Sequence, residues 1–191
     1  MIRTFIAIDI PQEARESLAA IQEQLKKSRP GVRWVKLGSI HLTLKFLGDV
    51  HPAQIDDIAE VAAQVVRDER FLSLGLAGLG AFPSQRNPRV VWVGIRGEVE
   101  RLTSIQARLQ QNLVVLGFTP EGRVFRPHLT LGRVKDKRNR RALIDTMVAM
   151  QLPEFNYFDV PEIILYKSDL RPTGAIYTKL HRMALAAPEP P

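Results

Sequence analysis

The chain has no cysteine, which excludes a disulfide framework, a thiolate nucleophile and a thiolate metal site together. It has no apolar run approaching the roughly 20 residues of a membrane-spanning helix. The opening Met1-Ile2-Arg3-Thr4-Phe5-Ile6-Ala7-Ile8-Asp9 is too short and too soon acidic for a secretory signal. A cytoplasmic protein with no membrane partner is therefore expected. Histidine is scarce, with four in 191 residues. What remains is ordinary globular composition, 45% hydrophobic and 25% charged, in a chain long enough for one large domain or two small lobes. The formal net charge of +7 favours a polyanionic partner such as RNA, DNA, a nucleotide or an anionic surface. The cations gather between Arg123 and Arg141, a stretch that reads more simply as a solvated loop and helix start than as a nucleic-acid patch.

Two of the histidines stand in one repeated tetrapeptide. His41-Leu42-Thr43-Leu44 recurs letter for letter as His128-Leu129-Thr130-Leu131. Each copy alternates as a β-strand does, so His and Thr share one face and the two leucines share the other. An imidazole beside a hydroxyl is thus presented twice, each time backed by leucines that can anchor its strand in a core.

The order of elements around the copies is also repeated. A strand over 2–10, a helix over 11–27 opened by Pro11, and a short strand at 32–35 lead to the first motif strand, 40–47, closed by Gly48-Asp49. A helix starting at Pro52, a glycine-weakened strand over 71–80 and a loop at 82–88 follow. A strand over 89–95 and a helix over 98–116, stopped by Gly117, then lead to the second motif strand, 124–134. Pro127 marks that end of the strand as an edge or a bulge. A helix fits 138–150, a long strand interrupted by Pro161 fits 157–167, a turn fits 168–174 and a last strand fits 176–185. Residues 186–191 read as a disordered tail, leaving 1–185 as one domain. Strand, helix and motif strand occur at 2–48 and again at 89–134, so a duplicated unit is expected, with two related lobes presenting both His/Thr faces to one groove.

Two histidines on one groove can work as acid and base, because an imidazole of ordinary pKa, about 6.5, is poised between its two forms near neutrality. One takes a proton from the attacking group and the other gives one to the leaving group. The threonine hydroxyls suit the non-bridging oxygens of a phosphate. A strained cyclic phosphodiester is the easiest substrate for such a pair. A zinc site fits less well, since neither motif carries a carboxylate and no HExxH occurs.

At these residues the sequence resembles the two-histidine phosphoesterase superfamily, defined by paired HxTx motifs, and within it the RNA 2′,3′-cyclic phosphodiesterases historically called 2′-5′ RNA ligases. Trp34-Val35, Phe46-Leu47-Gly48, Gly80-Ala81-Phe82-Pro83, Arg89-Val90-Val91-Trp92, Phe125-Arg126-Pro127 and Tyr166-Lys167-Ser168-Asp169-Leu170 extend the resemblance over about 1–185. The resemblance implies an α+β bilobal fold, two pseudo-symmetric antiparallel sheets around a central cleft with helices outside. It implies hydrolysis of RNA 2′,3′-cyclic phosphate ends to 2′-phosphomonoesters with no metal and no other cofactor, the partner being such an RNA or a related nucleotide. A monomer is expected, although nothing in the sequence fixes the oligomeric state. By position, His41 becomes the proton donor to the departing 3′ oxygen and His128 the base that activates water, with Thr43 and Thr130 on phosphate oxygens.

Arg126, two residues before His128, is expected to share its face and touch phosphate. Phe46, five residues after His41, falls on the opposite face if alternation holds, so a core role is expected. Arg133 falls on the face opposite His128 unless Gly132 bulges the strand. Tyr177 reads as a half-buried strand residue, His51 as a helix-entry residue and His181 as surface. Two rivals remain: an RNA-binding module without turnover, and a ligase running the same acid–base chemistry backwards to form 2′-5′ linkages.

Overall fold

The structure is a computed structural model that describes residues 1–172 and 174–187. Its elements are β1 (Ile2–Ile8), α1 (Gln12–Lys26), β2 (Val32–Trp34), β3 (Leu42–Val50), α2 (Ile55–Val66), β4 (Leu72–Ser84), β5 (Asn87–Gly97), α3 (Val99–Asn112), β6 (His128–Val134), α4 (Arg140–Ala149), β7 (Tyr157–Val160), β8 (Glu162–Arg171) and β9 (Gly174–Ala184). The strands lie in the order β7-β4-β5-β6-β3-β1-β8-β9, with β2 also on β6. The named strand pairs are all antiparallel. The two half-sheets of this α+β fold are joined between β3 and β6 by one residue pair, Leu42 opposite Leu129. Those leucines are the second residues of the two tetrapeptides, so the repeated motifs form the seam.

The halves match strand for strand. From the seam outward, β3-β1-β8-β9 on one side corresponds to β6-β5-β4-β7 on the other. The helices are exchanged. α1, encoded in the first half of the chain, reaches β6 through Gln22 and lies beside Leu76 and Phe158 of the second half-sheet. α3, encoded in the second half, reaches Leu44 of β3 through Gln106. Buried apolar residues of all four helices and both half-sheets form one continuous core.

Several boundaries differ from expectation for local reasons. The 82–88 segment is the tip of a β4–β5 hairpin rather than a loop, with Pro83 opposite Pro88. Both prolines sit beyond the reach of the flanking strands, since β7 pairs only with Leu72–Gly75 of β4 and β6 only with Val90–Gly94 of β5. Their missing N–H groups therefore break no ladder. The strand expected over 157–167 is two strands in opposite halves: Val160 pairs with Leu72 and Glu162 with Ala184. Pro161 stands where the chain crosses between them. The turn expected over 168–174 is largely strand, because Ser168 pairs with Tyr177 and Asp169 with Ile176; Thr173 lies outside the described residues. Ala186, placed in the tail by sequence, pairs with Arg70, its N–H donating to the Glu69 carbonyl at 2.7 Å. Residues 188–191 of that tail lie outside the described residues. Among the described residues no helix is long and apolar enough to cross a membrane.

Candidate active site

Leu42, Leu44, Leu129 and Leu131 are all 2% exposed or less, which fixes the leucine face of each motif in the core. The other face lines a cleft of about 490 Å³ that contains His41, Thr43, His128 and Thr130. His41 and Thr43 flank Leu42, and His128 and Thr130 flank Leu129, so both His/Thr pairs border the residue pair that joins the half-sheets and both line the same cleft.

Each imidazole is held in the same way. His41 Nδ1 lies 3.0 Å from the Ser39 carbonyl, and His128 Nδ1 lies 2.7 Å from the Arg126 carbonyl, both two residues upstream. A carbonyl only accepts, so Nδ1 carries the proton of the neutral ring and Nε2 keeps its lone pair. The turn behind His41 is tied down by Arg15, which donates to the Leu37 carbonyl at 2.7 Å and pairs with Asp9. Aromatic rings complete both sockets. Phe5 stacks on His41 at 4.6 Å and Tyr177 meets it edge-on at 5.0 Å. Phe82 meets His128 edge-on at 4.9 Å.

This burial depresses both basicities. Desolvation lowers the His41 pKa to about 4, assisted by the Arg15 cation and opposed by the Ser39 carbonyl and the Asp9 carboxylate. His128 is also lowered, chiefly by desolvation and further by the Arg133 cation, against the Arg126 carbonyl. These shifts leave both rings neutral at pH 7, and a bound phosphate would favour their charged forms. The His41 shift has a stability consequence. The unfolded chain takes up a proton near its ordinary value, 6.5, and the folded chain does not until about 4. Stability present above pH 6.5 is therefore lost as pH falls towards 4. Urea denaturation at pH 7 and at pH 4.5 should show wild type losing about 2 kcal/mol more than His41→Phe, which keeps the stack on Phe5 but cannot be protonated.

Two strand bulges decide which further residues face the cleft. In β3, Thr43 pairs with Ala7 and Lys45 with Ile6, leaving Leu44 as the extra residue. In β6, Thr130 pairs with Trp92 and Gly132 with Val91, leaving Leu131 as the extra residue. The bulge falls at the fourth position of both tetrapeptides. Past it the alternation is inverted, and the residue at His+5 turns into the cleft in each case: Phe46 and Arg133. Phe46 is therefore not a core residue but stands 56% exposed on the cleft, a correction that plain alternation could not supply. Arg133 takes the placement that required a bulge. Gly132 is needed there, because a Cβ would meet Val32 Cγ1 at 2.6 Å and the Trp34 ring at 2.9 Å.

Arg126 is not brought to the cleft. The strand begins at His128, so two-residue periodicity does not extend back through Pro127. Its side chain is exposed, and its contribution is the backbone carbonyl on His128. The cations that do line the cleft are Arg3, Arg33, Lys36, Arg133 and Lys135. Arg33 stands directly opposite Arg133 in the β2–β6 pair, and like charges so placed repel unless an anion lies between them. The signal for Arg33 in the sequence is a cation in the alternating strand Val32-Arg33-Trp34, which the motif-centred expectation does not include. Tyr177 is on the cleft, His51 caps a helical turn by accepting from the Ala53 N–H at 3.3 Å, and His181 Nε2 lies 3.1 Å from the Asp56 carboxylate. Among the described residues no three His, Asp or Glu side chains gather as a metal-ligand set.

A duplicated α+β fold whose seam carries two His-x-Thr pairs on one cleft defines a two-histidine phosphoesterase. The model of the LigT-like phosphoesterase family matches this chain twice in succession, over residues 8–92 and 93–177, one match to each half of the duplication. The chain belongs to that family. It is 36% identical over 179 residues to the RNA 2′,3′-cyclic phosphodiesterase of Methanothermobacter thermautotrophicus, covering 94% of this chain and 96% of the relative. It is 37% identical over 183 residues to the enzyme of the same name from Thermotoga maritima, covering 94% of each. The crystal structure of E. coli LigT with 3′-AMP superposes with a TM-score of 0.76 at 30% identity, over 96% of this chain and 98% of that one.

Proposed function

We propose that this cleft hydrolyses RNA 2′,3′-cyclic phosphate ends to 2′-phosphomonoesters. One observation carries the proposal: both His-x-Thr pairs flank the single residue pair that joins the half-sheets, so they address one phosphorus. The name shared by the Methanothermobacter and Thermotoga relatives supports the substrate class, and the nucleotide in the E. coli LigT structure supports the site. In the reaction a neutral imidazole takes a proton from water, the water oxygen bonds to phosphorus, the P–O3′ bond breaks, and the departing 3′ oxygen receives a proton from the other imidazole. His128 as base and His41 as donor follow the family pattern. Burial opposes a charged His41; the Asp9 carboxylate and the anionic phosphate of a bound substrate favour the proton. Thr43 and Thr130 donate to the non-bridging oxygens, where charge grows in the transition state. Arg33 and Arg133 neutralise the phosphate and the chain that leads to it.

The test is incubation of end-labelled RNA bearing a 2′,3′-cyclic phosphate, with and without EDTA. The expected product is a 2′-phosphate end at equal rates in both. A joined 2′-5′ product would assign the reverse reaction, and salt-sensitive binding with no turnover would leave only an RNA-binding module. Arg33→Ala and Arg133→Ala should each weaken binding of the labelled RNA and flatten its salt dependence, by about one unit in the slope of log affinity against log salt.

A further inference from the structure

Two buried glutamines have no part in the chemistry above. Gln22 on α1 and Gln106 on α3 are 3% and 8% exposed. Each lies on the core face of its helix, among Leu18, Ile21 and Leu25 or among Leu102, Ile105 and Leu109. A leucine or methionine would fill either position, so packing alone does not call for an amide. Gln22 Nε2 donates to the Leu131 carbonyl at 3.0 Å and to the Val35 carbonyl at 2.9 Å. Gln106 Nε2 donates to the Leu44 carbonyl at 3.3 Å.

Leu44 and Leu131 are the bulged residues of the two motif strands. A bulged residue has no partner on the strand it bulges away from, β1 for Leu44 and β5 for Leu131, so its buried carbonyl draws donors from other elements. Two different helices bring the same functional group to the same backbone atom of the two repeats. Each does so from the half of the chain that does not encode the motif it holds. At Leu131 the Val35 N–H adds a second bond, at 2.8 Å.

We propose that Gln22 and Gln106 are positioning residues: by holding these carbonyls they keep each motif strand bulged, and the bulge aims Arg133 and Phe46 into the cleft beside the histidines. With the bulge flattened, ordinary alternation would turn Arg133 towards the core face and remove its cation from the phosphate. This rests on the cleft being the phosphate site proposed above.

The experiment compares Gln22→Met, which keeps the volume and removes the donor, with Arg133→Ala and with the double variant. Affinity for inorganic phosphate is measured by calorimetry and the titration of the His128 imidazole by NMR. Gln22→Met should weaken phosphate about tenfold, the loss of one charge-assisted contact. It should also raise the His128 titration part of the way towards its ordinary value, by as much as Arg133→Ala is expected to, desolvation being the larger cause of the depression. Adding Arg133→Ala to Gln22→Met should then change either readout by less than about twofold. If Gln22→Met only lowers the melting temperature, or if Arg133→Ala keeps its full effect in that background, Gln22 is mere packing and the proposal is overturned. Should Gln22→Met fail to fold, Gln22→Glu keeps the length and carries a donor only when protonated, so the same two readouts decide. Wild-type turnover on cyclic-ended RNA is followed in parallel: its absence would sink the hydrolase while leaving the His128 titration to judge the glutamines.

Discussion

Replacing His128 with alanine is expected to slow hydrolysis of a cyclic-ended RNA by about 10²–10⁴-fold, the range of a lost general base or acid. His41→Ala should do the same. Neither loss should come from unfolding, since both rings stand on the cleft, outside the leucine core that holds their strands. The two variants should part company on an altered substrate. If sulfur replaces the 3′ oxygen of the cyclic phosphate, the leaving thiolate needs no proton. Activity of His41→Ala should then recover towards wild type while His128→Ala stays slow. Recovery of His128→Ala instead would exchange the two roles, and stopped-flow or quench-flow rates on the two substrates make the comparison. The exchange is a physical alternative because burial disfavours the charged form of His41 strongly, to about 4, while Asp9 alone pulls the other way among the nearby side chains.

The second large effect lies with the hydroxyls. Thr43→Val and Thr130→Val keep the β-branched shape a strand accepts and remove only the donor. Each is expected to lower kcat by about 10²-fold with little change in KM, because the hydroxyl meets charge that grows only in the transition state. The measurement is steady-state kinetics on a short cyclic-ended RNA, with melting temperatures as the control for folding. A rise in KM at constant kcat would make the threonines ordinary binding groups rather than transition-state donors.

The cleft-facing and core-facing sides of the two motifs are legible in the chain because HLTL repeats and because leucine and threonine alternate over the span where the strands are regular. The duplication was readable from element order, and it appears in space as β3-β1 matched to β6-β5. Reading failed where regularity ends. Plain alternation carried past Leu44 predicts a core Phe46, and it fails because the strand gains a residue there. Alternation carried back through Pro127 predicts Arg126 on the face of His128, but there is no strand there and Arg126 is not among the cleft-lining residues. The partition of 157–171 between opposite half-sheets could not be read from local propensity, since both pieces are good strands and only tertiary pairing separates them. Gln22 and Gln106 did carry a signal, a polar side chain at four-residue spacing from Leu18 and Leu102 on an apolar stripe. Its meaning depended on a bulge in a strand more than 60 residues away.

The account stands on the two imidazoles acting together on one phosphorus. The most direct test measures hydrolysis of cyclic-ended RNA by His41→Ala, His128→Ala and the double variant under single-turnover conditions. Groups that act as a unit are not additive, so the double variant should be about as slow as the slower single one. Losses that multiply, each histidine contributing its full factor whether or not the other is present, would contradict a shared reaction centre at the Leu42–Leu129 seam.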